Sequence, residues 1–392
     1  MRIIFTGGGT AGHVSPAIAV ADALKRADAG VEILFVGTPR GMENKLVTEA
    51  GYPIWHIDVG GLKRSASLKN IGVALKAVRS LSEARRIIEK FRPDAVFGTG
   101  GYVCYPLVRE AARMGIYTAL HESNATVGLA VKMLSGKVDK IYLNFDAAKG
   151  ELSHPERAVT VGNPVRGEYG TVDRETARHL LGIGHPIPGR EKDFASCGTP
   201  IGSFRHAVLS FGGSLGAATV NGEVLKLMDG YARRHPDTLF VHACGKSGYP
   251  DFMKRAGERG VTSLPNTVIS EFLYSMPLWL AAADTVICRA GASTVSELAT
   301  VGRASILIPS PNVTGDHQYK NAVAMGEAGG AFVLRERPEE LAKLPELLDT
   351  LLSDRRVREN MEISARRLAP KENAAEVIAR ELISEAEKAR KK

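Results

Sequence analysis

Cysteine is scarce. Cys104, Cys197, Cys244 and Cys288 are the four in 392 residues, far apart and with no C-x-x-C pair. That argues against a disulfide framework and a structural zinc site, and it fits a reducing compartment. Aromatic residues make up 6% of the chain and are not interleaved with the basic ones, so a nucleic-acid partner is not expected. Long apolar runs are missing too. "MPLWLAAADTVICRAGA" comes nearest to the roughly 18 residues of a membrane span, and Asp284 and Arg289 interrupt it. The opening "MRIIF" runs straight into glycines, too short for the apolar core of a secretion signal. Repeats and low-complexity tracts are also absent.

What is present is a soluble, basic composition. Hydrophobic residues account for 44% and charged ones for 24%, with 51 Lys+Arg against 43 Asp+Glu, a net +8. Such a balance favours an anionic partner: a phosphorylated substrate, nucleic acid or a membrane surface. The length allows two domains. Short β-branched runs ("RIIF", "EILFVG", "AVFGTG", "IYTALHES", "KIYLNF", "AVTVGN") alternate with helical patterns such as "SPAIAVADALKRA". A second series begins at "HAVLSFGG" and continues through "TLFVHACG", "TVISEF", "TVICRAGA" and "ASILIPSP". This alternation predicts an α/β protein of two doubly wound parallel-sheet domains. "VGNPVRGEYG" is the expected hinge. Residues 1–163 form the first domain and 164–368 the second. Residues 369–392 form a C-terminal helix packing back on the first. The Gly- and Pro-rich stretch 182–204 reads as a surface loop.

Four clusters carry chemistry. The first, "TGGGTAGHVSP", has Gly7-x-Gly9-x-x-Gly12 between a strand and a helix, with Ser15 and Pro16 suited to N-cap and first helical position. Such a turn can cradle an anion on free N–H groups. An NAD site also wants a carboxylate at the end of the second strand, and "LFVGTPRG" offers none. Nor does a P-loop lysine follow the glycines. A turn that is merely tight remains open as an alternative. The second cluster, "SFGGSLGAA", places Gly212, Gly213, Ser214 and Gly216 before another helix, an arrangement suited to a diphosphate. In the third, "CRAGASTVSELATVG", Glu297 falls in the first helical turn. It is either a carboxylate favoured by the helix dipole or an acceptor for a ribose diol. The fourth, "PSPNVTGDHQYKNA", sets Asp316, His317, Gln318 and Asn321 on a loop after a strand.

Taken together with "GTGGYVCYPLV", "HESNATVGLAVK" and "VGNPVR", these clusters stand in the order of one family. From residue 1 to about 370 the chain resembles the family 28 glycosyltransferases of bacterial cell-wall synthesis. The resemblance implies a GT-B fold, two Rossmann-like domains separated by a cleft. It implies inverting transfer of N-acetylglucosamine (GlcNAc) from UDP-GlcNAc to the muramoyl 4-hydroxyl of lipid I, giving lipid II and UDP, with no cofactor and no metal. It implies donor contacts from Thr10, Ala11, Gly12, Asn124, Arg166, Ser214, Leu273, Ala292, Ser293, Thr294, Val295, Ser296, Glu297 and Gln318. His13 is the expected base, with helix capping or acceptor binding as its alternatives. Glu122 and His121 compete for that role or orient the acceptor, and Tyr102 lines the same pocket.

The stretch "GLKRSASLKNIGVALKAVRSLSEARRIIEK" sets Lys69, Lys76 and Arg79 beside Ile71 and Leu75 at helical spacing. A solvated helix face over a core stripe is the plain alternative. A lipid-linked acceptor favours docking on an anionic membrane, at its cytoplasmic face, with other cell-wall synthesis proteins as further partners. A UDP-GlcNAc 2-epimerase, another lipid glycosyltransferase of this fold, and a non-catalytic nucleotide-sugar scaffold remain as rival readings.

Overall fold

The computed structural model describes residues 1–59, 70–183, 203–213 and 216–391. Two compact units result, Met1–Gly167 with Pro370–Lys392, and Glu168–Ala369. Residues 164–167 stay with the first unit because Val165 is buried there and its carbonyl accepts the Asn373 side-chain amide at 3.0 Å.

The first unit is one parallel sheet of β1 (Arg2–Thr6), β2 (Glu32–Gly37), β3 (Ile54–His56), β4 (Ala95–Gly98), β5 (Tyr117–Glu122), β6 (Lys140–Leu143) and β7 (Ala158–Thr160). Their spatial order is 3-2-1-4-5-6-7. The strands are covered on both faces, so they read as unbroken apolar runs rather than as alternation. Phe5 stacks on Phe35 at 5.2 Å and meets the edge of Phe97 at 5.6 Å. Each such buried ring contributes about 2 kcal/mol of apolar transfer energy. The C-terminal helix Ala374–Lys391 inserts Ala375, Ile378, Ala379 and Leu382 into this core, beside Ala17, Ala21 and Leu24 of the helix Ala11–Ala27. Small residues on both helices let the backbones approach closely. Across this core the Tyr142 hydroxyl donates to Glu381 at 2.5 Å.

The second unit repeats the plan with β8 (His206–Phe211), β9 (Thr238–Ala243), β10 (Thr267–Ser270), β11 (Thr285–Cys288), β12 (Ala304–Leu307) and β13 (Ala331–Val333). Their order is 10-9-8-11-12-13, again all parallel. The sequence pattern did not announce β3 and β13, which have three residues each. Runs that short carry no periodicity, and β7, equally short, was legible only inside the longer run "AVTVGN".

Both sheets reverse their strand order beside the first strand, between β1 and β4 and between β8 and β11. In open α/β sheets the crevice outside the carboxyl ends at that switch point is where ligands bind. The glycine clusters leave the sheets at those four strands. Residues 184–202 of the Gly- and Pro-rich stretch 182–204 expected to be a surface loop, and Lys63, Arg64 and Lys69 of the basic stretch, lie outside the described residues.

Candidate active site

At the first switch point two loops meet, one after β1 and one after β4. The helix after β1 starts at Ala11, with Thr10 as its extended N-cap. This is five residues earlier than Ser15 and Pro16 would suggest, because Gly9, three residues past the strand, turns the chain at φ +87°. Pro16 therefore sits inside the helix, where its missing N–H removes one backbone bond. Thr99, after β4, clamps the turn: its hydroxyl donates to the His13 carbonyl at 2.6 Å. Gly100 and Gly101 hold φ +99° and +80°. A Cβ on Gly101 would stand 2.4 Å from the Gly8 carbonyl oxygen, so only glycine lets the loops touch.

His13 belongs to this rim. Its Nδ1 lies 2.9 Å from the Gly8 carbonyl, which can only accept. Nδ1 therefore carries a proton, and in the neutral ring Nε2 holds the lone pair. Nε2 lies against Gly100, 3.2 Å from where a Cβ would stand. The exposed Tyr102 ring borders Gly9. His13, Tyr102, Thr10 and Gly12 are thus brought together.

Glu122 and His121 are not free to join them. Glu122 is buried, and its oxygens accept the Asn124 N–H at 3.0 Å, the Asn124 side-chain amide at 3.1 Å and the Gly128 N–H at 2.7 Å. It organises the loop that carries Asn124. His121 is wholly buried, with Nε2 donating to the Gly162 carbonyl at 3.1 Å and Nδ1 3.3 Å from the Ser123 hydroxyl. Burial pushes its pKa down to about 4, against a smaller upward pull from the Gly162 bond. A neutral ring with both nitrogens engaged is a core histidine, not a proton shuttle. Arg166 pairs with Asp22 at 3.5 Å, nine residues and about 14 Å along the helix from His13.

Sequence reading missed Glu43. This carboxylate comes from the start of the helix Glu43–Glu49 and is 1% exposed. It lies under the first glycine turn: Oε2 accepts the Gly9 N–H at 3.2 Å, while Oε1 accepts the Thr38 N–H at 2.8 Å and the Thr38 hydroxyl at 2.7 Å. Burial would raise its pKa, but these bonds outweigh it and hold the carboxyl below its ordinary value. A carboxylate does follow β2, then, six residues past its end, but it is buried and spent on the Gly9 and Thr38 hydrogen bonds. The glycines that flank it, Gly37 and Gly41, were the one signal in the sequence.

At the second switch point the turn after β8 is close-packed at two of its glycines: a Cβ on Gly212 would stand 2.5 Å from the Ala217 nitrogen and one on Gly216 2.2 Å from the Cys244 carbonyl oxygen. Gly213 is exposed at φ +89°, and a Cβ there would meet nothing within 4 Å. Ser214 lies outside the described residues. The helix Ala292–Val301 follows β11. Glu297 is its sixth residue, in the second turn, beyond the first turn to which a dipole effect is confined. Loss of hydration pushes its carboxyl up to about 7, and a hydrogen bond from Tyr169, also missed in the sequence, pulls the other way. The neighbouring Gly170 packs 3.2 Å from the Thr300 carbonyl on the same helix, measured from its would-be Cβ. Ser296 is turned back to the Ala292 carbonyl at 3.0 Å, and Ala292 and Val295 are buried. The Ser293 hydroxyl is buried without a hydrogen-bond partner among the described residues, and Thr294 lies at the helix start beside Gly291. Asn321 ties the helix His317–Glu327 to this turn through the Ala290 carbonyl at 3.2 Å, and Gln318 accepts the Ser310 N–H at 2.9 Å. Leu273 is buried between the exposed Phe272 and Tyr274, whose rings meet at 5.2 Å. Among the described residues, no three His, Cys, Asp or Glu form a group able to hold a metal ion.

Two family models match this chain: the Glycosyltransferase family 28 N-terminal domain over residues 3–143 and the family 28 C-terminal domain over residues 207–381. The chain belongs to glycosyltransferase family 28. A relative from Acetivibrio thermocellus is 40% identical, covering 91% of this chain and 90% of its own length. It is named UDP-N-acetylglucosamine–N-acetylmuramyl-(pentapeptide) pyrophosphoryl-undecaprenol N-acetylglucosamine transferase. Among solved structures, Acinetobacter baumannii MurG aligns with a TM-score of 0.70 at 26% identity, over 98% of this chain and 99% of that one. A UDP-GlcNAc 2-epimerase from Neisseria meningitidis aligns at 0.64, covering 98% and 100%, but at 14% identity it shares the fold alone. The family 28 assignment and the two parallel-sheet Rossmann-like units agree with the GT-B architecture.

Proposed function

We propose that this chain transfers GlcNAc from UDP-GlcNAc to the muramoyl 4-hydroxyl of lipid I, with inversion, forming lipid II and UDP for peptidoglycan synthesis. The carrying observation is the relative of that name, 40% identical and spanning both units. In this reading the hydroxyl oxygen bonds to the anomeric carbon as the carbon–phosphate oxygen bond breaks. The electron pair leaves on the β-phosphate, and the hydroxyl proton passes to His13 Nε2. Backbone N–H groups of the turn after β8, with Ser214, stabilise the departing diphosphate without rearranging. Glu297 accepts from the ribose diol, the backbone at Leu273 reads the uracil, and Gln318 binds the sugar. Thr10, Ala11, Gly12, Asn124 and Arg166 complete the donor contacts, and Tyr102 lines the acceptor side. Glu122 contributes by shaping the Asn124 loop.

A lipid-linked acceptor requires a membrane surface. No helix among the described residues is long and apolar enough to cross one, so the reading places the chain peripherally, at the cytoplasmic face, with other cell-wall synthesis proteins within reach. Lys76, Ile71 and Leu75 lie on the helix Asn70–Phe91. Arg79 of that helix pairs with Glu83 at 2.9 Å, so its charge is partly answered within the helix. Leu129 and Met133, four residues apart on the helix Leu129–Leu134, are 61% and 43% exposed beside Lys132, an apolar and basic face of the same unit.

UDP release from UDP-GlcNAc, with and without a short-chain lipid I analogue, tests the reading. Acceptor-dependent release with a disaccharide product is expected. Conversion of UDP-GlcNAc to an epimer without acceptor would replace the transferase with the epimerase.

A further inference from the structure

Glu43 and His13 share one peptide group. The Gly8–Gly9 peptide gives its N–H to Glu43 Oε2 at 3.2 Å and its C=O to His13 Nδ1 at 2.9 Å. A trans peptide is planar, with its N–H and C=O pointing in opposite directions. Fixing one end therefore fixes the other. An ionised carboxylate can only accept, so the N–H must point inward at Glu43 and the C=O must point outward at the imidazole. Both residues of this peptide are glycines, which have the conformational freedom for the flipped peptide as well. In that flipped state an N–H would face His13, Nδ1 would have to accept, and the proton would move to Nε2.

We propose that Glu43 is a positioning residue that sets the tautomer of His13 through the Gly8–Gly9 peptide, keeping Nε2 unprotonated toward the acceptor hydroxyl. This rests on the reading of His13 as base. The surroundings fit a buried strut: Glu43 is held by the N–H and hydroxyl of Thr38, and a Cβ on Gly8, Gly37 or Gly41 would come within 2.8 Å of its side chain. The partner hydrogen bond of a histidine selects which nitrogen stays free. The same carboxylate takes up the Gly9 N–H, so that N–H orients the base rather than meeting an anion.

The test pairs nitrogen NMR of ring-labelled histidine with steady-state kinetics. His13 is assigned by the signal lost in His13→Gln. In the intact enzyme His13 should show a protonated Nδ1 and an unprotonated Nε2; a protonated Nε2 would overturn the proposal. Glu43→Gln, whose amide can donate as well as accept, should let the peptide flip. A mixed tautomer, kcat lower by about tenfold or more, and a donor KM within about twofold of the original are expected. An unchanged tautomer with unchanged kcat overturns the proposal. If Glu43→Gln does not fold, Thr38→Val, which removes only the hydroxyl donor, should move the tautomer and kcat the same way by less, and no change there overturns it equally. His13→Ala with kcat retained would instead sink the reading of His13 as base, leaving the tautomer result to stand by itself.

Discussion

The two units use the same strand–glycine turn–helix device with different surroundings. In the first, the turn after β1 is occupied from below by Glu43, and the Gly9 N–H is spent on it. In the second, the turn after β8 has Gly213 exposed with open space around it, and the carboxylate Glu297 stands on the helix after β11. The first turn presents an imidazole oriented by the Gly8 carbonyl, while in the second the Gly216 N–H is given to the Gly213 carbonyl at 2.9 Å. Similar glycine spacing thus says that a backbone must bend, and the carboxylate beneath it says what the bend is for.

The largest effect expected from breaking this comparison is steric. Gly101→Ala puts a Cβ 2.4 Å from the Gly8 carbonyl oxygen at φ +80°, and backbone on both sides cannot yield. Urea unfolding should show a loss above about 3 kcal/mol. Gly213→Ala, with space but φ +89°, should cost only about 1 kcal/mol. Equal losses would mean that the first turn is not the packed one.

Next is pH. The Glu297 carboxyl is raised by burial to about 7, so its ionised form is lost as pH falls through that value. The Glu43 carboxyl is held below its ordinary value by its hydrogen bonds, against burial, and stays charged throughout. Calorimetry of UDP-GlcNAc binding should show affinity falling about tenfold from pH 8 to pH 6, and Glu297→Gln should bind weakly and lose that slope. A slope that survives in Glu297→Gln would assign it to another group. The smallest effect is at Tyr169. Tyr169→Phe removes the hydroxyl that favours the ionised carboxylate, so donor binding should weaken about fivefold near pH 7 and the slope should move to higher pH.

Legibility followed sequence distance. Most strands, those of four to six residues, the parallel alternation and the four clusters could be read directly, because each is local in the chain. The same reading gave the order of motifs that identifies family 28. His13 and Gly100 could be singled out as residues but not joined, since their contact spans 87 positions of chain. In "HESN", Glu122 and His121 read as competitors for the base role or as residues that orient the acceptor. Nothing in its spacing reveals that Glu122 is consumed by the Asn124 and Gly128 amides, or that His121 is closed in by Gly162. Burial and hydrogen-bond saturation are tertiary quantities, and they turn a reactive residue type into a structural one.

By itself, then, the sequence determined the α/β class, the two glycine turns, the family and the residue types available for sugar transfer, because periodicity and motif spacing are properties of the chain. The tertiary structure alone decided which carboxylates are spent inside the fold and which face a ligand. Glu43, with no motif around it, reaches the peptide that orients His13, and Tyr169 reaches Glu297 across 128 residues of chain. The physical reason is that hydration and hydrogen-bond partners set the charge and aim of a side chain, and these are assigned only when distant segments close on one another.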